Sequence, residues 1–554
     1  MPEYYLFPCG CQLPIIGYKK NGKPKLYINF DSSHIDDLRL DCPAVWEAYR
    51  EGRTKCTFQT ESNIGKQWAK KIKPENVEQL AALVSLIRPV TLKSFDEKGV
   101  NMTSHYAKRK NNEEDVEYFH PLLEPILKNT FGIACFQEQL MKITQALAGF
   151  NAQDADSFRK ATGKKDAKLM TEVKHMFFDG CRKTGILTEQ EMEEMWYILE
   201  KANRYSFNKS HAQGYALTSY QTMYAKVHLP HETILSYLHF ADEKMDAHRE
   251  VRELISEARM MNIPIRPPAL INKNSKFKIV DDVIYFGLTD IKGVGDAQVK
   301  KLKNAVAEAE MKIGPVKTWN WFDFLIHISS NVNSTVVKNL ITCGALNFSI
   351  SRTRMLFEYE NIWSKLTGKE QDFCYNIGKG AAGNEQSTLT NILKVMVESG
   401  KGTANKNRLK IVNDLYKLLI NPPFPLHDAE RWIATKEEEL LGVALTCSKS
   451  GIRSRDMATA TCKDFLNGRR GNMSLAVDIV EIREYKIKKG QNQGQTMAFL
   501  VIEDETCSLD TAVVFSESFS EHSDILFAGN SVLVEGIRSR DRDDSFIINK
   551  AYQI

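Results

Sequence analysis

The hydrophobic pattern of this 554-residue chain changes its period near residue 474, and that change constrains the fold more than any other feature. Between about residues 62 and 260, apolar residues recur at helical spacing, as in the series Leu80, Leu83, Val84 and Ile87. Prolines and glycines divide this pattern into separate helices. After residue 474, apolar and polar residues alternate, as they do in strands with one buried face. The sequence therefore predicts a largely helical chain followed by a β domain.

The β domain contains five segments of strand-like alternation joined by short polar turns. These segments are 474–490, 496–505, 508–515, 531–540 and 545–554. Five strands in roughly 80 residues predict a small closed barrel of the oligonucleotide-binding type, whose loops and one face accept single strands. A small sandwich that serves only for packing is the alternative.

Changes in composition divide the rest of the chain. A proline-rich stretch at 264–272 marks a boundary, and glycines among Lys, Asn and Ser between 365 and 410 predict a flexible linker with one helical island near Leu389–Val397. The predicted segments are an irregular connector at 1–57, a helical domain at 58–262, a helix-hairpin-helix region at 263–361, the linker at 362–412, a helical connector at 413–473 and the barrel at 474–554.

The segment FGLTDIKGVGDAQVKKLKNAV, at 286–306, has the pattern of a helix-hairpin-helix element. Gly293 and Gly295 allow backbone amides at a helix start to approach a phosphate, and the helix dipole favours the anion. Lys292, Lys300 and Lys301 add positive charge nearby. These residues predict contact with a nucleic-acid backbone without sequence readout, and a purely structural helix turn is the alternative.

Two further segments concentrate cations and aromatic residues. The first, at 157–170, contains Arg159, Lys160, Lys164, Lys165 and Lys168, which could bind a triphosphate or a duplex backbone. The second, at 204–226, places Asn208, Lys209, Ser210 and His211 before a helix with Tyr215, Tyr220 and Tyr224. We expect Lys209 and His211 at a groove for phosphates or bases, and Tyr220 and Tyr224 in the core.

Composition excludes several classes of protein. The chain has 43% hydrophobic residues, which excludes general disorder, and a net charge of only +4. No run of residues is long and apolar enough to span a membrane, and the amino terminus lacks the pattern of a signal peptide. Eleven scattered cysteines are typical of reduced thiols. We therefore expect a cytoplasmic protein without a membrane partner.

Eight motifs occur in the order and spacing of the bacterial replicative DNA polymerase III alpha subunits, the family C polymerases, and the sequence resembles that family from about residue 40 to 350. They are CTFQTES, ALVSLIRP, FQEQLMKITQALAGF, FRKATGKK, FNKSHAQGYALTSYQT, INKNSKFKI, FGLTDIKGVG and ITCGALN. A weaker resemblance resumes at LLGVALT and the terminal barrel. The resemblance implies a multidomain α+β chain: a mostly helical fingers domain and a helix-hairpin-helix region, followed by a small β-barrel with the oligonucleotide-binding fold.

The resemblance also implies substrates and binding residues. Arg159, Lys160, Lys164 and Lys165 would contact an incoming dNTP or the template backbone, with Asn208, Lys209 and His211 close by. Primer-template DNA would contact Arg88, in ALVSLIRP, and the hairpin residues Lys292, Gly293, Gly295, Lys300 and Lys301. The location expected is the cytoplasm of a bacterium or of an infected host cell.

Family members also have a phosphoesterase-like domain and a palm with metal-binding aspartates, and we expect this sequence to start after both. Two-metal phosphoryl transfer requires carboxylates that converge on ions about 4 Å apart, which a D-x-D pair on a strand provides. Asp154 and Asp156 fall in a helix, Asp541 and Asp543 in a turn, and Asp31, Asp36 and Asp37 in a loop. We therefore predict no catalytic residue and no metal site of the chain's own, with Mg²⁺ at a palm on another chain.

Two smaller patterns stay open. Cys9 and Cys11, with Cys42 or Cys56, could bind zinc, and unliganded thiols are the alternative. Gln386 and Leu389, in the predicted linker, have the spacing of a peptide that binds a sliding clamp.

The leading hypothesis is a split subunit of a replicative DNA-directed DNA polymerase, which binds DNA and nucleotide while a palm-bearing polymerase chain supplies the metal site. The alternatives are a non-catalytic DNA-binding replication accessory factor and a scaffold for a clamp or helicase.

Overall fold

The structure is a computed structural model that divides the chain into two compact units, Met1–Thr233 and Ile234–Ile554. The residues it describes are 3–19, 21–30, 38–96, 99–163, 167–379, 388–450, 456–540 and 545–554. The predicted sites at Lys164, Lys165 and Gln386, and the acidic residues of 31–37 and 541–544, lie outside these residues.

Unit 1 combines a small sheet with a helical body. Strands β1 (Tyr4–Leu6), β2 (Gln12–Tyr18) and β3 (Pro24–Leu26) form an antiparallel sheet in that order. The helices are α1 (Pro43–Arg50), α2 (Asn63–Ile72), α3 (Val77–Leu86), α4 (Pro89–Leu92), α5 (Met102–Lys110), α6 (Glu124–Leu127), α7 (Gln137–Ala148), α8 (Ala152–Gly163), α9 (Ala167–Thr184), α10 (Glu189–Tyr205), α11 (Lys209–His228) and α12 (Pro230–His239), which crosses into the second unit.

The long helix α11 lies at the centre of one core of unit 1. Its inner face is made of small and aromatic residues, and Ala212 and Ala216 leave room for α3 to pack closely. Tyr220 and Tyr224 are fully buried in the same core, which confirms their predicted packing role. Because burial of apolar surface is the dominant favourable term in folding, this face sets the position of α11 and of the residues at its start.

Unit 2 begins with a helical region and a small sheet. Strands β4 (Ile265–Arg266), β5 (Lys278–Val280) and β6 (Val283–Tyr285) form a sheet in the order β4-β6-β5. Its helices are α13 (Ala247–Met260), α14 (Asp296–Ile313), α15 (Trp321–His327), α16 (Ser334–Thr342), α17 (Arg352–Phe357), α18 (Gly368–Gly378), α19 (Leu389–Ser399), α20 (Lys406–Ile420), α21 (Glu430–Leu441), α22 (Cys462–Leu466) and α23 (Ser516–His522).

The predicted flexible linker at 362–412 differs from the structure. Helices α18, α19 and the start of α20 occupy most of its described residues, and α19 matches the expected helical island. Leu393, Met396 and Val412 are fully buried in the same core as the helix-hairpin-helix region. Gly368 and Gly378 are the first and last residues of α18, and Gly400, at φ +67°, ends α19 as a left-handed residue. Leu389, the candidate clamp contact, is also buried in this core.

The carboxy-terminal strands form the predicted closed barrel. The strands are β7 (Met473–Lys486), β8 (Thr496–Glu503), β9 (Ser508–Val514), β10 (Ser531–Arg538) and β11 (Phe546–Gln553), and their order around the barrel is β10-β11-β9-β8-β7. All pairs are antiparallel except β9 with β11, and α23 connects β9 to β10. A five-stranded Greek-key barrel of this kind is the oligonucleotide-binding fold.

The barrel depends on one close backbone approach. The register of β10 and β11 shifts between Glu535 and Gly536, and a Cβ at Gly536 would lie 2.1 Å from the Ile547 carbonyl oxygen. A bulge with glycine sharpens the bend of a strand, which barrel closure requires. Among the helices that the structure describes, none combines the length and apolar character needed to cross a lipid bilayer.

Candidate nucleotide and nucleic-acid interface

The start of α11 brings three predicted site residues together. Asn208 caps the helix, because its Oδ1 accepts the backbone N–H of His211 at 2.8 Å. Its Nδ2 donates to Glu138 at 3.0 Å, and the other oxygen of Glu138 accepts the backbone N–H of Lys209 at 2.9 Å. Asn208 thus holds the helix start in place, while the side chains of Lys209 and His211 remain available at the surface.

Lys209 lies between an acidic partner and an aromatic ring. Its Nζ donates to Glu78 of α3 at 2.8 Å and lies 5.7 Å from the centre of the Phe136 ring. Lys209 and Glu78 are each about one-third exposed, so solvent screens the pair and the attraction is weak. A more highly charged phosphate could therefore displace Glu78 from Lys209.

Arg88 has a structural position beside this group rather than the free position expected of a DNA contact. Its guanidinium donates to the carbonyl oxygens of Ser85 and Tyr205 and stacks 4.3 Å from the Phe207 ring centre. Burial lowers the pKa of the Arg88 guanidinium. Arg88 therefore fastens the end of α10 and the residues that lead into α11.

A row of rings follows Arg88 along the surface of α11. Phe207 contacts His211 with ring centres 5.3 Å apart, His211 contacts Tyr215 at 4.1 Å, and Tyr215 contacts Phe58 at 5.2 Å. His211 is exposed and the other three rings are partly exposed. Partly exposed rings beside a lysine can stack on bases while the lysine binds phosphate.

The segment that leads into α11 makes hydrogen bonds with two other parts of unit 1. Phe207 forms a parallel bridge with Phe136, in which the N–H of Phe207 donates to Cys135 O and that of Gln137 to Phe207 O, both at 2.9 Å. Asn203, near the end of α10, donates to the carbonyl oxygen of Phe158 in α8 at 3.1 Å. These bonds tie the aromatic row to α7 and connect α10 to the helix that carries the second cation group.

That second group consists of Arg159 and Lys160 on α8. Both pair with Asp156, Arg159 Nη2 to Oδ1 at 2.8 Å and Lys160 Nζ to Oδ2 at 2.7 Å. The hydrogen bonds from Lys160 and Arg159 lower the pKa of the Asp156 carboxyl. The pairs are on the helix surface, where ion pairs exchange readily with other anions. Lys168, at the start of α9, is also exposed.

The helix-hairpin-helix element has the expected form. Gly293 adopts φ +81°, and Gly295 is the residue before α14, where no side chain among the described residues caps the first turn. Ile291 and Val294 are buried, while Lys292, Lys300 and Lys301 are exposed. The hairpin thus presents backbone N–H groups and lysines to solvent, as a phosphate contact requires.

A second hairpin, formed by α16 and the turn at Gly344, contacts the first one. Asn339 of α16 donates its Nδ2 to the carbonyl oxygen of Lys292 at 2.9 Å. The chain then turns at Gly344, at φ +81°, against which the guanidinium of Arg352 packs. Arg352 pairs with the buried carboxylate of Glu437 at 2.9 Å. The Asn339 hydrogen bond fixes the backbone of the first hairpin at Lys292, and the Arg352–Glu437 pair fixes the turn that follows α16.

The barrel carries a third basic and aromatic surface. On the hairpin between β7 and β8, Arg483 lies 5.8 Å from the Phe499 ring centre and Tyr485 lies 6.4 Å from it. The exposed Lys486, Lys488 and Lys489 follow directly. Rings with adjacent cations are the pattern by which oligonucleotide-binding barrels hold single strands.

The described part of the chain offers no carboxylate set for two metal ions. The side chains that it brings close enough to share one ion are three cysteines and a histidine. Asp478 and Glu503 do face each other across β7 and β8, but Asp478 accepts hydrogen bonds from Ser531 and Lys449. Burial raises the pKa of both carboxyl groups, that of Glu503 to about 7. Within the described residues, no cluster of three or more carboxylates lies close enough to share an ion.

The acidic partners of Lys209 could not be predicted from the sequence. Glu78 and Glu138, which bind Lys209 and its backbone, lie far from it in sequence and gave no local signal. Phe207 did give a signal, because it lies four residues before His211, which in turn lies four residues before Tyr215 on the same face of α11.

Comparisons with known proteins agree with this architecture. The model of the bacterial DNA polymerase III alpha subunit finger domain matches residues 19–185, and that of a helix-hairpin-helix motif matches residues 262–355. The chain is 31% identical over 521 residues to the DNA polymerase III subunit alpha of Aquifex aeolicus, covering 93% of this chain and 39% of that protein.

Two other subunits of that name give similar results. The Thermus aquaticus protein is 35% identical over 331 residues, 59% of this chain and 26% of its own length. The Pseudomonas aeruginosa protein is 30% identical over 527 residues, 92% of this chain and 41% of its own length. The chain thus spans about two fifths or less of these relatives. The chain belongs to the family of bacterial DNA polymerase III alpha subunits and corresponds to a carboxy-terminal part of them, with their finger domain and helix-hairpin-helix motif.

Proposed function

We propose that this chain is the DNA- and nucleotide-binding part of a replicative DNA-directed DNA polymerase and acts with a palm-bearing polymerase chain. In this proposal Lys209, Arg159 and Lys160 attract the triphosphate of a dNTP or the template backbone. His211 and Tyr215 pack against a base. The hairpin at Gly293 and the barrel hairpin hold primer-template DNA, and the cytoplasm is the place of action.

The observation that carries the proposal is the arrangement at the start of α11. Lys209 and a row of partly exposed rings are held there by Arg88, Glu138 and the bridge between Phe136 and Phe207. Charge and stacking together suit a nucleotide, whereas an ordinary solvated helix face needs no such fixation. The relatives named DNA polymerase III subunit alpha support the same reading.

The palm and its ions are the part that we assign to another chain. Mg²⁺ is proposed at that partner's carboxylates, because the group of potential metal ligands found among the described residues of this chain is three cysteines and a histidine, which are not the oxygen ligands that Mg²⁺ prefers. A sliding clamp is a further proposed partner. Its contact would not use Leu389, which is buried.

The first experiment separates binding from catalysis. The purified chain should bind primed DNA with an affinity that falls steeply with salt, because counterions are released from the phosphates. It should not extend the primer with Mg²⁺ and dNTPs until the palm-bearing chain is added. Extension by the chain alone would contradict the split arrangement, and the absence of DNA binding even at low salt would contradict the DNA-binding role.

A non-catalytic accessory factor is the second candidate. The observation that favours it is that Lys209, Arg159 and Lys160 are already paired with carboxylates of the chain itself. The variant Arg159→Ala with Lys160→Ala distinguishes the two in the reconstituted complex. A raised KM for dNTP supports nucleotide binding, and unchanged incorporation kinetics with normal DNA affinity supports the accessory role.

A further inference from the structure

We propose that Cys9, Cys11, Cys42 and His228 form a structural Zn²⁺ site in unit 1. One ligand atom from each side chain, three Sγ atoms and an imidazole nitrogen, all lie within 4.8 Å of one another. Cys11, Cys42 and His228 are buried and Cys9 is partly buried. Cys₃His is a set that structural zinc sites use.

The distances suit a tetrahedral ion. With Zn–S near 2.3 Å and Zn–N near 2.0–2.1 Å, a sulfur and a nitrogen on the same ion lie about 3.6 Å apart and two sulfurs about 3.8 Å apart. The Cys42 Sγ lies 3.6 Å from the His228 Nε2. The four ligand atoms therefore need only small side-chain movements to enclose an ion.

The loop that carries the first two cysteines has the shape of a ligand turn. Cys9 and Cys11 connect β1 to β2, and the N–H of Phe7 donates to the Cys11 carbonyl oxygen at 2.9 Å. Gly10 between them adopts φ +83°, a conformation that side-chain-bearing residues rarely take. This tight turn directs two sulfurs to one point although they are only two residues apart.

The other two ligands come from helix ends. Cys42 is the residue before α1, so its side chain lies at the N-terminus of that helix. His228 is the last residue of α11, and its ring is held between Phe7 at 4.5 Å and Tyr224 at 4.2 Å, measured between ring centres. A fixed, neutral imidazole is the form that binds zinc.

The charge around the cluster also fits a metal-thiolate group. Zn²⁺ with three thiolates and an imidazole carries a net charge of −1. The Nη1 of Arg39 donates to the Cys9 carbonyl oxygen at 3.3 Å, and Arg39 is itself positioned by Asp41 at 2.8 Å. Because the Arg39–Asp41 pair is neutral overall, its contact with Cys9 orients the ligand loop, while the N-terminus of α1 at Cys42 partly offsets the negative charge.

The proposed ion would fasten three distant parts of unit 1. It would join the β1–β2 turn, the start of α1 and the end of α11. Helix α11 has 20 residues, so its ends lie about 30 Å apart, and the residues proposed to bind nucleotide are at its other end. The proposed role is therefore structural, and it does not depend on the proposed function.

Metal content and cobalt spectroscopy of the full chain test the site. After growth with zinc and exhaustive dialysis, the wild type should retain one zinc ion per chain by elemental analysis. Cys11→Ala and Cys42→Ala should lower occupancy about tenfold or more. The matched control, Cys181→Ala, removes a buried cysteine of α9 and should keep the full zinc content.

A second measurement keeps the proposal testable if the alanine variants do not fold. Co²⁺ added to the metal-free wild type should give thiolate-to-cobalt charge-transfer absorption that saturates at one equivalent. His228→Cys should retain one equivalent and shift the cobalt bands as a nitrogen ligand is replaced by sulfur. A wild type without stoichiometric zinc and without the cobalt absorption would overturn the proposal, as would full occupancy in folded Cys11→Ala.

Discussion

Lys209 and Glu78 form an ion pair 2.8 Å long between the start of α11 and the start of α3, at the edge of the aromatic row. Both side chains are about one-third exposed, so an anion from solvent can compete with Glu78 for Lys209. If a phosphate takes the place of Glu78, Lys209→Ala should weaken binding to primed DNA and reduce the slope of log K against log salt by about one.

The charge-neutral variant of the same pair should act in the opposite direction. Glu78→Gln removes a competing carboxylate, so primed DNA should bind more tightly than to the wild type at equal salt. Lys174→Ala, which breaks an exposed pair with Glu193 elsewhere in unit 1, serves as the control. Equal losses in Lys209→Ala and Lys174→Ala would show that Lys209 has no special role.

Substitution of Arg88 is expected to lower the stability of the fold rather than to remove a direct DNA contact. Arg88→Ala leaves the carbonyl oxygen of Tyr205 without its donor and removes the stack on Phe207, which should cost about 1–3 kcal/mol of the free energy of unfolding. Arg88→Lys keeps the charge but not the planar fork, and should also be destabilising. Urea unfolding measures both. Unchanged stability together with weakened DNA binding would support a direct DNA contact instead.

Lys300 and Lys301 should contribute charge at the hairpin without affecting the fold, since both are exposed on α14. Replacing both with alanine should lower affinity for duplex DNA of any sequence and reduce the salt slope by about two. The control replaces Lys394, on the exposed surface of α19. A sequence-dependent loss would contradict contact with the backbone alone.

The pair of Arg408 and Glu370 should stabilise the region predicted as a linker. Arg408 binds both oxygens of Glu370, at 3.0 and 2.6 Å, and the Glu370 side chain is fully buried. Arg408→Ala removes the cationic partner of this buried carboxylate, which still accepts the Thr367 N–H, and should lower the free energy of unfolding by about 3–5 kcal/mol. Tryptophan fluorescence during urea unfolding measures the change. Lys394→Ala, which breaks an exposed pair with Glu398, should leave the midpoint unchanged.

Glu503 should make the stability of unit 2 depend on pH. Burial raises the pKa of its carboxyl from 4.5 to about 7, against the attraction of Arg259. Ionisation is therefore less favourable in the folded chain, so the stability that this group contributes below pH 4.5 is lost as the pH rises through 7. Glu503→Gln cannot ionise and should gain up to about 3 kcal/mol relative to wild type between pH 4.5 and 8. Glu484→Gln, on the exposed part of β7, should show no such trend.

Local patterns predicted more of the fold than of the site. The alternation of residues after 474 specified all five barrel strands, because strand periodicity depends on near neighbours. The prediction of a flexible linker was wrong, because the burial of Leu393, Met396 and Val412 depends on partners from other helices, which the local glycine content does not report. At the site, the cations were recognised, but not that Arg88 and Asn208 are used to build it.

The amino-acid sequence by itself determined most helices and strands, the glycines of the helix-hairpin-helix element and the segments that carry the cations. Each of these features depends on residues a few places apart in the chain. Only the tertiary structure decided which cations are paired and which rings are exposed. It alone placed His228 beside Cys9, Cys11 and Cys42, which lie about two hundred residues before it along the chain. The physical reason is that such contacts arise from the packing of α11 against the core of unit 1, which no local pattern specifies.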